Sequence, residues 1–158
     1  MGKGGSQQVG DFKISMTHAM HSNSIDEDGV RLYAGEPAGY LVSLPGGVII
    51  YHAGDTALFG DMKLLGELYK PDIAMLPIGD RFTMGPREAA QAIRFLGVKH
   101  VIPMHYATFP VLATEADVRA VFGSDPRAAI MKPRGLASRM RAPIESMAAR
   151  PGPSTRCG

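Results

Sequence analysis

Residues 12 to 17, FKISMT, alternate between apolar and polar positions and predict a strand. Residues 22 to 36 are polar, contain Asp28-Gly29, and are expected to form a loop. GYLVSL (39–44) and GVIIYH (47–52) then read as two strands joined at Pro45-Gly46 in a hairpin. In LFGDMKLLGELY the residues Leu58, Met62, Leu65 and Tyr69 recur at helical spacing, with Thr56 or Asp61 as candidate cap and Pro71 as stop. IAMLPIG (73–79) and VKHVIPMH (98–105) are short apolar runs that predict buried strands. Between them GPREAAQAIRFLG places Pro86 at a helix start and Gly97 after its end. A short helix is expected over 114–122, and AAIMK reads as a last strand.

From residue 47 onward the order is strand, helix, strand, helix, strand, which defines an α/β layered fold. Polar, chemically capable residues sit at the strand ends: Asp55 after the first, Asp80 after the second, His105 on the third. Ligands in such sheets gather beyond the carboxyl ends of strands. His18 and His21 lie in MTHAMHSNS, where the first predicted strand runs into a loop. One of these histidines, Asp55 and His105 would together make a mixed N/O site suited to Zn, Fe or Mn, and a carboxylate can bridge two metals. Two plainer readings stand beside it. Asp55 in Gly-Asp-Thr is good turn or N-cap chemistry, and His105 is equally readable as a hydrogen-bonded core histidine. His52 precedes Asp55 on its strand and is expected to support the site rather than to ligate.

The chain has 158 residues, one domain's worth, with 45% hydrophobic and 20% charged residues. No apolar run reaches the ~20 residues of a transmembrane helix, and the first residues have no apolar signal segment. The one cysteine, Cys157, excludes an intrachain disulfide; a cytoplasmic location is expected. The net charge of +2 conceals a division: residues 127–158 carry seven Lys/Arg and one acid, and residues 1–126 carry ten Lys/Arg and fourteen acids. A domain over 1–132 and a basic, disordered tail over 133–158 are therefore expected, with no specific nucleic-acid or membrane partner. There is no G-x-S-x-G nucleophile elbow, no Walker A sequence and no G-x-G-x-x-G fingerprint.

AMHSNSI, GEPAGYLVSL, YHAGDT, LYKPDIAMLPIGDRFTMGP and VIPMHYATFP, in that order, resemble the later part of an uncharacterised family of metal-dependent hydrolases in the metallo-β-lactamase superfamily. The resemblance covers about residues 3 to 122. It implies the C-terminal part of an αββα sandwich with a two-metal centre at one edge. By that resemblance His21, Asp55 and His105 are metal ligands, with Asp55 also the catalytic carboxylate. His18, His52, Asp80, Thr83 and Tyr106 would support the site or face the substrate. The implied cofactor is a divalent metal, Zn2+ first and Mn2+ or Fe2+ next, two in a complete site. The implied reaction is attack of metal-activated water on an ester, amide or phosphodiester-type bond of a small molecule.

The superfamily's His-x-His-x-Asp-His motif does not occur in this sequence, and His18-Ala-Met-His21 has a different spacing. The stretch after Met131-Lys132-Pro133 also departs from the family's short final strand. The resemblance thus implies a partial domain, and a second function class follows: a non-catalytic fragment acting by association with another chain. Homo-oligomerisation, or pairing through an exposed sheet edge, is expected on that reading.

Overall fold

The computed structural model describes residues 1–130. The N-terminal elements are β1 (Ser6–Val9), β2 (Phe12–His18), β3 (Ser24–Glu27) and β4 (Val30–Tyr33). They are followed by β5 (Ala38–Ser43), β6 (Ile49–His52), α1 (Met62–Tyr69) and β7 (Ile73–Pro77). The chain continues through α2 (Pro86–Leu96), β8 (His100–Met104) and α3 (Glu115–Phe122). Six strands form one mixed sheet in the order β1-β2-β5-β6-β7-β8, antiparallel as far as β6 and parallel across β6, β7 and β8. The parallel half needs crossover connections, and α1 and α2 supply them. The α/β class expected from the sequence is the observed class.

Alternation in each strand divides the sheet into two unlike faces. Leu41, Tyr51, Ala74, Leu76 and Val101 point to one face and are buried in a single cluster with Met62, Ala89, Ala92, Ile93, Leu96, Val118 and Phe122 from the helices. The opposite face carries Ile14, Met16, Val42, Ile50, Ile73, Met75, Ile102 and Met104 in register across the strands, each half-buried. None of these belongs to the core cluster or packs against it.

The helix boundaries follow the local signals. α2 begins at Pro86 and ends at Gly97, whose left-handed conformation returns its N–H to the Ile93 carbonyl. α3 is closed by a reciprocal capping box between Thr114 and Asp117. For α1 the expectation needs correcting. The helix starts only at Met62, Asp61 occupies the cap position without a side-chain cap bond, and Thr56 lies outside the helix. Leu58 still packs against the core, so its apolar spacing reported burial rather than helix.

Three strands escaped the apolar pattern. Residues 22–36 are not simply a loop: β3 and β4 pair as a hairpin in a separate two-stranded sheet. Asp28 and Gly29 both have positive φ, 51° and 80°, as a two-residue primed turn requires. Their flanking strands are exposed and polar enough to hide the alternation. β1, Ser6–Val9, is exposed throughout and is held by its ladder to β2 and by a Ser6–Ser15 hydroxyl contact of 2.7 Å. The run 98–105 is strand only over His100–Met104, and His105 lies one residue beyond it. Of the expected last strand, Ala128 makes a single bridge to Val101, while Met131 and Lys132 lie outside the described residues. The tail expected over 133–158 also lies outside them. Among the described residues no helix is long and apolar enough to cross a membrane.

Candidate metal centre

β6 runs out at His52, and the chain turns immediately. The Gly54 N–H donates to His52 Nδ1 at 3.1 Å, which fixes the neutral ring with its hydrogen on Nε2 and shapes the turn that presents Asp55. β8 runs out at Met104, and His105 adopts a left-handed backbone with φ 56°. For a non-glycine residue this conformation costs roughly 1–2 kcal/mol. Asp80 (68°) and Ala107 (53°) share it, so the loops after β7 and β8 hold three of the five non-glycine residues with positive φ among the described residues. Such strain persists only where surrounding contacts fix it. Here the Ile78 N–H bonds the Met104 carbonyl at 3.0 Å, Ala113 bonds the Gly79 carbonyl at 2.8 Å, and Ala107 bonds the Ala113 carbonyl at 2.9 Å. Gly79 has to be glycine: a Cβ there would lie 2.1 Å from the His105 carbonyl oxygen and 3.0 Å from its Nδ1.

The result is that Asp55 Oδ2 and His105 Nε2 stand 3.5 Å apart. They share an open depression of about 490 Å3 with His21, Met20, Ser22, Arg81 and Phe82. Thr56, fully buried, ties three loops around this depression. Its hydroxyl accepts from the Met20 N–H at 2.9 Å and donates to the Ala57 carbonyl at 2.8 Å. The Ala57 N–H returns to the Met20 carbonyl at 2.9 Å, and the Thr56 carbonyl accepts the Met84 N–H at 3.0 Å. One residue thereby sets the loops of His21, Asp55 and Arg81 against one another.

The donor chemistry fits a divalent cation. Two ligand atoms on one tetrahedral metal, each at ~2.1 Å, stand about 3.4 Å apart, close to the Asp55–His105 spacing. His21 turns Nδ1 to the Ser22 carbonyl, so Nε2 carries the free lone pair, the tautomer a ligating histidine uses. Two observations limit the fit. Among the described residues no three His, Cys, Asp or Glu side chains stand close enough to hold a metal ion. His105 Nδ1 is also buried without a hydrogen-bond partner. The described residues therefore present a pair of suitable donors and a third in the same depression, not a closed coordination shell.

The remaining expected residues lie around this centre. His18 ends β2, its ring 4.3 Å from that of Phe59 and its Nε2 4.0 Å from Asp61. Asp80 and Thr83 form the turn after β7, with the Thr83 N–H on the Asp80 carbonyl at 2.8 Å, and neither lines the depression. Tyr106, next to His105 in the chain, is buried, and burial first, then Glu115, raises its phenol above the usual range. Met20, Arg81 and Phe82 line the depression and were not singled out from the sequence. Their only signal was adjacency to His21 and Asp80. A larger hollow of about 640 Å3 lies between the C-terminal ends of α1 and α2, lined by Lys63, Lys70, Arg94 and Lys99 among others. Lys70, at the C-cap of α1, and Arg94, in the last turn of α2, complement the helix dipoles. Glu67 is the one carboxylate in its described lining and no histidine joins it there, so it offers no comparable donor pair.

Fold and site together define an α/β domain with a carboxylate–imidazole donor pair at the carboxyl edge of a mixed sheet. The family described as "Beta-lactamase superfamily domain" matches residues 1–106, and the chain belongs to it. It is 58% identical over 113 residues to a protein of Rubrobacter xylanophilus named "UPF0173 metal-dependent hydrolase", covering 71% of this chain and 47% of that protein. It is 50% identical over 136 residues to a protein of the same family name from Methanosarcina barkeri, covering 84% of this chain and 59% of that one. Among solved structures it resembles Igni18, a metallo hydrolase of Ignicoccus hospitalis, with a TM-score of 0.66 and 33% identity over 84% of this chain and 57% of that one. The chain thus spans about half the length of the relatives it matches, and its fold is that of metallo-β-lactamase-type hydrolases.

Proposed function

We propose that this chain carries the Asp55–His105 side of the active site of a metal-dependent hydrolase. The observation that supports this most directly is the 3.5 Å separation of Asp55 Oδ2 and His105 Nε2. Asp55, His105 and His21 are the residues that would hold the metal, Zn2+ ahead of Mn2+ or Fe2+. When bound, it supplies an acidified water and a Lewis acid for the scissile bond of an ester, amide or phosphodiester. The chain's own residues do the positioning. His52 and Thr56 hold the turn of Asp55, Gly79 leaves room for the His105 ring, and Asp55 is the carboxylate available to orient the attacking water. With no disulfide possible within the chain, a cytoplasmic setting suits it.

The test is metal binding. Chelator-competition titration with Zn2+, Mn2+ and Fe2+ should show zinc bound by the chain. Asp55→Asn should weaken it about tenfold or more and leave the metal-free melting temperature within a degree or two, because the amide keeps the size and turn chemistry of the acid. Equal zinc affinity in the two proteins would defeat the assignment. So would a metal-free Asp55→Asn protein that melts several degrees lower, since Asp55 would then be a structural turn residue.

A second reading, a fragment that works by association rather than catalysis, is favoured by one observation. Eight apolar residues of the open sheet face are in register and outside the core. The partner on this reading is a second copy, or a chain that lays a sheet on this face or beside the exposed edge strand β1.

A further inference from the structure

Arg81 and Phe82 stand side by side in the turn after β7, and both reach the depression that holds Asp55 and His105. Arg81 makes no hydrogen bond or ion pair with any described residue, although the Asp55 carboxylate lines the same depression. A guanidinium has five donors in a planar fork and stays charged at any working pH. Left without a carboxylate of its own, it is available to an anion. Phe82 leaves 57% of its surface exposed, and Met20, which lines the same depression, 55%. Large apolar side chains exposed singly on a surface need no explanation. Here two of them line one depression, together with the candidate metal donors and with Arg81, the one Lys or Arg of its lining among the described residues.

The turn is fixed rather than loose. The Asp80 N–H bonds the Met84 carbonyl at 3.2 Å, and Met84 is tied by its N–H to Thr56. Arg81 and Phe82 are therefore held at a set place relative to Asp55.

We infer that Arg81 and Phe82, with Met20, select the substrate, and that the substrate class is an organic anion with an apolar group close to its charge. Its carboxylate or phosphoryl group would pair with the Arg81 fork, and its apolar part would lie against Phe82 and Met20. This deepens the hydrolase reading and rests on it for the reaction. The recognition itself involves no metal and is measurable without one.

The experiment uses the full chain, stripped of metal by chelator, at pH 7.5. Four probes are titrated by NMR or calorimetry: benzylphosphonate, phenylacetate, methylphosphonate and benzyl alcohol. Benzylphosphonate or phenylacetate should bind at least about tenfold more tightly than methylphosphonate or benzyl alcohol, because only the first two engage both the guanidinium and the apolar side chains. The better of the two anions tells phosphoryl from carboxylate recognition. Arg81→Met should lose about tenfold or more of the anion's affinity and leave benzyl alcohol unchanged, and Arg81→Lys should recover part of it. Phe82→Ala should weaken the three aromatic probes alike. Overturning results are benzyl alcohol binding as well as the anions, Arg81→Met binding benzylphosphonate normally, or no probe binding at millimolar concentration. Zinc titration of Arg81→Met separates this from the hydrolase reading: metal affinity should be unchanged, so a failure of probe recognition leaves the Asp55–His105 assignment standing.

Discussion

Met75 and Leu76 are neighbours in β7, similar in size and hydrophobicity, and the sheet sends them to opposite fates. Leu76 is fully buried among helix residues such as Ile93 and Leu96. Met75 is half-buried on a face to which no described helix contributes core residues, in a row with His52 and Ile102. The same division runs across the sheet, with Leu41 against Val42 on β5 and Tyr51 against Ile50 on β6. A strand in a parallel sheet is normally apolar on both sides because both sides are covered. In this chain both sides are apolar and the described helices cover one. Hydrophobicity alone therefore does not say where the stabilisation lies; the helices do.

The largest effect expected from this difference is on folding stability. Leu76→Ala should cost about 2–5 kcal/mol, the range for emptying a buried leucine site, and Met75→Ala less than about 1 kcal/mol. Denaturant midpoints of the two variants measure it directly. Equal losses would mean that the open face is covered in solution after all.

A smaller effect is expected on association. If copies or a partner cover the open face, Ile50, between Val42 and Ile73 in its row, is buried by the contact. Full burial of such a side chain is worth about 1.5–3 kcal/mol. Ile50→Lys should then weaken self-association by tenfold or more in sedimentation velocity, without shifting the unfolding midpoint of the dilute protein by more than about 1 kcal/mol. A wild-type chain that stays monomeric at high micromolar concentration removes the self-association reading.

The smallest effect concerns one polar atom on the covered face. The Tyr51 hydroxyl is buried without a hydrogen bond of good geometry, and Thr17 beside it only partly offsets the burial that pushes its pKa up to about 12. The unfolded chain's phenol ionises near its ordinary value of 10.0, so above that pH the unfolded state gives up the proton first. Stability should fall between pH 10 and about 12, by roughly 1.4 kcal/mol per pH unit from this residue. Tyr51→Phe should lose that contribution and be at least as stable as the wild type at pH 8, since it removes an unsatisfied hydroxyl. Midpoints of both proteins at pH 8, 10 and 11 check the sign. An unchanged alkaline decline in the variant would place the Tyr51 hydroxyl in contact with water.

The sequence by itself determined the covered half of the molecule. Pro86 and Gly97 bound a helix whose apolar face is complete, and IAMLP and HVIPM are too short and too apolar to be anything but strands between helices. It also put Asp55 and His105 at strand ends, because a buried parallel strand admits polar residues only where it leaves the sheet. The polar hairpin β3–β4 and the edge strand β1 stayed hidden, because alternation is legible only where one side of a strand is buried. Thr56 read as a helix cap, although its hydroxyl belongs to a contact with Met20, thirty-six residues earlier in the chain. Only the tertiary structure set the 3.5 Å between Asp55 and His105, and only it brought Arg81 and Phe82 to the wall of that depression. Those placements depend on left-handed turns at Asp80 and His105, a conformation uncommon for any non-glycine residue, and long-range backbone bonds through Gly79, Ala113 and Thr56 hold them.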